Sequence, residues 1–160
     1  MDPVLDQIAN HLKLGDYLLK SALDQLSDEE LHRRGGPESN SLLWITGHLT
    51  LSRSRMVKLA GGDAEFAWTD LFSRGSAIQE PAAYPSLDRI LEAWDKTSGL
   101  LLAALPKMTP EQLFSKSPQS VPGDDKSIRG ALSFLVYHEA YHIGQMGYLR
   151  KMLGHESLVG

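Results

Sequence analysis

Apolar residues recur at three- and four-residue steps over four long stretches of the chain, the pattern of helices with one buried face. The first stretch runs from about Val4 to Leu26, with Leu5, Ile8, Leu12, Leu19, Ala22, Leu23 and Leu26 on its stripe. The second starts at Asn40-Ser41, both good N-caps, and runs to about Ala60, where Gly61-Gly62 stops it. Leu42, Ile45, Leu49, Met56 and Leu59 form its stripe, with Trp44, His48 and Leu51 beside them. The third begins at Ser86 and ends near Leu105, ahead of Pro106; Leu87, Ile90, Leu91, Trp94, Leu101 and Leu105 supply its core face. The fourth runs from Ser127 to Leu153 and closes at Gly154, a length of about 40 Å as a helix. Its stripe reads Ile128, Ala131, Leu132, Leu135, His138, His142, Met146, Leu149 and Leu153.

The connections carry their own signals. Ser27 with Glu30 reads as a capping box opening a short helical turn, which Gly35-Gly36-Pro37 ends. Thr109-Pro110-Glu111-Gln112 opens a second short helix that ends by Phe114, and Ser115 to Asp125 reads as a loop. From Asp63 to Pro85 the periodicity is lost, so this segment is expected to be a long crossover strap covering one end of a bundle, with one short helical turn. Long connections of this kind often border a site. There is no internal repeat and no alternation long enough for a sheet. The expectation is an all-α, four-helix-bundle fold with long connections and short extra helices, residues 1–160 forming one domain.

Composition narrows the chemistry. A chain of 160 residues buries enough surface to need no staples. It has no cysteine, which excludes disulfides, Cys-ligated zinc, thiolate-held iron–sulfur clusters and a cysteine nucleophile. A formal net charge of -4 disfavours a binder of nucleic-acid phosphates. The acidic start, Met1-Asp2-Pro3, lacks the basic region of a signal peptide, and the apolar run Leu100 to Leu105 is far short of a membrane span. A cytoplasmic protein with no nucleic-acid and no membrane partner is expected. Six histidines remain to be explained.

His138 and His142 are four residues apart, so their imidazoles project from one helical face and can grip one divalent metal. Both fall on the stripe assigned to the interior, where an unpartnered imidazole costs about 1–3 kcal/mol. Spacing alone supplies no third ligand. His48, in the middle of the second helix, is the best placed of the others; His11, His32 and His155 read as surface or capping residues. The string His138-Glu139-Ala140-Tyr141-His142 also matches the two-His-and-Glu pattern of zinc peptidases. The match is poor beyond the string: the positions that an extended motif reserves for Gly and His hold Gln145 and Tyr148, and no downstream helix offers a Glu ligand.

The blocks Asn40-Ser41-Leu42-Leu43-Trp44-Ile45-Thr46-Gly47-His48-Leu49 and His138-Glu139-Ala140-Tyr141-His142-Ile143-Gly144-Gln145, the latter followed by Leu149-Arg150-Lys151-Met152-Leu153-Gly154, resemble the DinB/YfiT-like family of metal-binding four-helix bundles. The resemblance implies a three-histidine site of His48, His138 and His142. It implies one divalent ion per chain, nickel or zinc first and iron or manganese next, and it implies a homodimer. The branch of the family with known chemistry uses its metal to activate a low-molecular-weight thiol, so a metal-dependent enzyme of the thiol S-transferase or hydrolase class is expected. The competing expectation is a non-catalytic metal-binding helical protein serving a stress response or a partner. Around the metal, Glu139 can orient the His48 imidazole or reach solvent. Gln145 can approach His142 or the metal, Tyr141 can line the mouth, and Tyr137 and Tyr141 are expected to pack between helices.

Overall fold

The computed structural model describes residues 2–159. Seven α-helices occur among them: α1 (Pro3–Leu23), α2 (Asp28–His32), α3 (Leu42–Leu59), α4 (Thr69–Phe72), α5 (Leu87–Ala104), α6 (Pro110–Phe114) and α7 (Ile128–Met152). The starts follow local chemistry. Asp2, Ser41 and Ser127 each accept a hydrogen bond from an otherwise orphaned backbone N–H of α1, α3 and α7. Both capping boxes form, Ser27 with Glu30 and Thr109 with Gln112. Ser86 occupies the N-cap position of α5 but makes no side-chain capping bond. α1 ends at Leu23 and not at Leu26, because the chain turns through Gln25 at φ +60° and leaves the helical path.

α3 packs on both α5 and α7, and α1 packs on α7 and, more briefly, on α5. The four long helices form a ring in the order α1, α7, α3, α5. The core divides into two apolar clusters. One gathers Leu19, Leu23, Leu43, Leu49, Phe72, Trp94, Ile143 and Met146. The other gathers Leu5, Leu12, Met56, Leu101, Leu105, Ala131 and Leu132. The order in which each helix visits these clusters gives its direction. α1 and α7 run parallel to each other, and α3 and α5 run the opposite way, also parallel to each other. Parallel neighbours cannot be joined by a short turn, so residues 60–86 must travel back along the bundle. The strap makes that return between Ala64 and Phe66, and its remainder packs against the cluster where α5 starts. Ala64 packs in one cluster, while Phe66 and Phe72 pack in the other.

Between the two clusters lies a polar layer to which every long helix contributes. Arg53 of α3 is 1% exposed and Glu139 of α7 is 3% exposed. Arg53 Nε and Nη2 donate to the two Glu139 carboxylate oxygens at 2.8 and 2.7 Å. Arg53 Nη1 donates to Ser98 Oγ of α5, and Nη2 donates to the Leu12 carbonyl of α1 at 2.7 Å. The guanidinium also lies 3.7 Å from the centre of the Trp94 ring. Gly15 of α1 completes the layer, because a Cβ there would overlap Glu139 Oε1. Gly15→Ala is expected to destabilise the fold by roughly 1–3 kcal/mol, the usual cost of overpacking. Urea unfolding checks this; an unchanged midpoint would show that Glu139 is free to move.

The layer corrects the sequence reading of α7. Its buried positions are Ala131, Leu132, Leu135, Glu139, Ile143, Met146 and Leu149. His138 and His142 flank this stripe, half-buried, and do not fill interior slots. α3 is the most enclosed helix, buried at every described position except Arg55 and Lys58. No described helix is long and apolar enough to cross a membrane.

Candidate metal centre

His48 is fixed before any ligand arrives. It sits one turn after Trp44 on α3, and the two rings stack nearly parallel with centroids 4.8 Å apart. Its Nδ1 donates to the Phe72 carbonyl at 2.7 Å, so the Nε2 lone pair is bare and points away from the strap. Phe72 reaches this position because Gly47 leaves room: a Cβ at Gly47 would overlap the Phe72 ring. Trp44 Nε1 adds a second tie by donating to the Leu71 carbonyl at 2.9 Å. The 63–85 connection thus helps build the site, a role that its lost periodicity left undefined.

His138 and His142 come from the facing side of α7. His142 Nδ1 meets Gln145 Oε1 at 2.7 Å, and Gln145 Nε2 donates to the Tyr141 hydroxyl at 3.2 Å. This amide orientation makes His142 Nδ1 the donor, leaving its Nε2 bare. His138 Nε2 lies 3.2 Å from His48 Nε2 and 3.1 Å from His142 Nε2. Its Nδ1 is buried with no hydrogen-bond partner among the described residues. One ligand nitrogen from each of the three rings falls within 4.8 Å of the other two.

His138 Nε2 faces the Nε2 atoms of His48 and His142, an arrangement that a cation among them, protonic or metallic, would hold together. Protons are disfavoured. Burial pushes His138 down from its ordinary 6.5 to about 4, helped by the charges of His142, His48 and Arg55. Burial likewise pushes His142 down to about 4, with the His48 charge adding and the Gln145 bond opposing. His48 is lowered too, by burial first and by the Arg55 charge as well, against the Phe72 bond. At neutral pH the rings are uncharged, the form that binds metal. Two donors of a tetrahedral site with 2.0–2.1 Å bonds are about 3.3 Å apart, close to the 3.2 and 3.1 Å that separate His138 Nε2 from its two neighbours. His48, His138 and His142 therefore fit a divalent ion.

The depressed values also set a pH dependence. The unfolded chain takes up protons at these histidines near pH 6.5, whereas folded His138 and His142 resist until about 4. Their contribution to stability is complete above pH 6.5 and is lost as pH falls towards 4. The melting temperature of chelator-treated protein should fall across that window, and the fall should shrink in His138→Asn. An equal decline in both proteins would remove these rings as its cause.

The other candidate residues separate. Glu139 neither orients His48 nor reaches solvent. Its carboxylate is taken by Arg53, and the Phe72 carbonyl fills the acceptor role beside His48. Tyr137 and Tyr141 do not pack between helices; they are 70% and 57% exposed. Tyr141 nonetheless lies beside His142, with ring centroids 5.2 Å apart. His155 pairs with Glu30 at 2.9 Å, linking the C-terminal segment to α2 and lying outside the cluster. Sequence reasoning missed Arg55, an exposed residue two turns beyond His48 whose charge acts on His48 and His138. A seven-residue spacing on one helix face was the available signal.

Three histidines from two facing helices of a bundle give the chain the fold and the donor set of a small helical class with a candidate divalent-metal site. The DinB superfamily profile matches residues 12–146, and the chain belongs to that superfamily. Solved structures agree on the fold. A DinB-like protein from Bacillus subtilis, YjoA, matches with 18% identity and a TM-score of 0.67, covering 96% of each chain. A conserved protein from Enterococcus faecalis matches with 16% identity and a TM-score of 0.70, covering 91% of this chain and 94% of its own. YfiT from Bacillus subtilis, described as a probable metal-dependent hydrolase with an unusual four-helix bundle topology, matches with 18% identity and a TM-score of 0.65, covering 95% of this chain and 89% of its own. No curated protein matches the sequence.

Proposed function

We propose that this protein is a metal-dependent enzyme of the thiol S-transferase or hydrolase class, working at a divalent ion held by His48, His138 and His142. The observation that carries the reading is the convergence of three neutral imidazoles within 4.8 Å. A divalent ion held by neutral ligands keeps its full double charge and acidifies a thiol or water that coordinates it. Three protein ligands leave a coordination position open, the arrangement of reactive rather than structural sites.

The chain's own residues prepare that chemistry. The Phe72 carbonyl and Gln145 Oε1 accept the Nδ1 protons of His48 and His142, which leaves the Nε2 atoms of both rings as the nitrogens that would hold an ion. Trp44 covers one face of His48 and restricts water on that side. With no cysteine in the chain, a reacting thiol must arrive as a low-molecular-weight cosubstrate. Nickel or zinc is the ion expected first, iron or manganese next. A homodimer is the expected assembly, which light scattering on the eluting protein checks.

The test is a screen of metal-loaded protein with several low-molecular-weight thiols and an electrophile, and separately with ester and amide substrates. Chelated protein is the control. Metal-dependent conjugation or hydrolysis supports the reading. Silence in every assay from protein that holds its metal favours a binding protein without turnover. Casein cleavage that needs the metal would instead point to a peptidase.

A further inference from the structure

We propose that the buried Arg53–Glu139 pair is a positioning device for the three-histidine cluster, setting the register of α7 on α3 so that His138 and His142 meet His48. The inference rests on the metal-site reading above and adds residues that the histidine motif does not contain.

The pair and the cluster join the same two helices. Arg53 lies five residues after His48 on α3, and Glu139 follows His138 directly on α7. On either side of this layer the helices are held by apolar packing, which is non-directional and tolerates small slides. A one-residue slip along a helix is about 1.5 Å, enough to spoil a ligand set whose bonds vary by only a few tenths of an ångström. The bidentate Arg–carboxylate contact is different: two parallel bonds at 2.8 and 2.7 Å fix both height and rotation. Ser98 Oγ, the Leu12 carbonyl and the Trp94 face hold the guanidinium in turn. Gly15 gives up its side chain to admit the carboxylate.

Stability alone does not account for such a layer. Taking both charges out of water is expensive, and apolar replacement of a complete buried pair is often neutral or stabilising. Polar residues in a helical core are best attested as setters of register. Here the register they set is the one the histidines require.

The experiment compares wild type, Arg53→Met/Glu139→Leu, Arg53→Lys and Leu113→Ala. Leu113 is a buried residue of α6, and its replacement lowers stability without touching α3–α7 register through the pair. Zinc dissociation constants are measured by competition, and the visible spectrum of cobalt-loaded protein reports ligand geometry. The double variant is expected to fold cooperatively yet bind zinc 10–100-fold more weakly, with an altered cobalt spectrum. Arg53→Lys keeps the charge but loses the fork, and should shift both readouts in the same direction. Leu113→Ala should melt earlier and bind as wild type does.

Wild-type zinc affinity and an unchanged cobalt spectrum in the folded double variant overturn the proposal. If the double variant does not fold, the same result in Arg53→Lys overturns it. Equal loss of affinity in Leu113→Ala also overturns it, since general destabilisation would then suffice. Wild-type protein that binds no metal overturns the metal-site reading itself, a separate outcome.

Discussion

Replacing Arg53 alone with Met is expected to cost the fold about 3–5 kcal/mol. The loss comes from what is left behind. Glu139 is 3% exposed, both its oxygens are hydrogen-bonded to Arg53, and among the described residues no other cation is paired with it. Removing the guanidinium strands a carboxylate in the middle of the bundle, together with the Leu12 carbonyl and Ser98 Oγ that it served. Stranded buried groups are penalised far more than a completed pair rewards the fold. Urea denaturation gives the number. A loss below about 1 kcal/mol would mean that water reaches Glu139 and that the layer is not sealed.

His142→Ala is expected to lower metal affinity by more than about 100-fold, since losing an outer partner alone costs 10–100-fold. The truncation removes one of three ligand nitrogens and also releases Gln145 and Tyr141 from their shared contacts. His155→Ala is the matched control. That ring pairs with Glu30 and stands outside the cluster, so its loss should leave affinity unchanged. Competition against a chromophoric chelator measures both. Equal behaviour of the two variants would contradict the ligand assignment.

Much of the fold was legible because apolar spacing and caps are local. The four long helices, both capping boxes and the two short helices they open can all be read from residues within a turn of one another. Helix direction was not legible, since periodicity has no sense along the axis. The parallel pairing of α3 with α5 comes out only when the two core clusters are traced, and it explains why the strap is so long. The irregular strap also hid the Phe72 carbonyl, which any residue type would have supplied.

The histidine pair announced itself by spacing, but its burial was misjudged for an instructive reason. The expectation for Glu139, orienting His48 or reaching solvent, leaves its carboxylate out of the core, where a lone carboxylate rarely sits. Its position nonetheless continues the stripe from Leu132 and Leu135 to Ile143 and Met146, and Arg53 continues the stripe from Ile45 and Leu49 to Met56. Two opposite charges in core slots of two helices, with a glycine in a core slot of a third, together signal a buried pair. Taken one helix at a time, each is only an interruption of an apolar stripe.

The most direct measurement of the central claim is a zinc titration of chelator-treated protein by calorimetry, in wild type and in His48→Ala. The expected result is one ion per chain in wild type and no tight site in the variant. Wild-type protein that takes up no ion, or a variant that takes up the same single ion as tightly, would contradict a metal centre built on His48, His138 and His142.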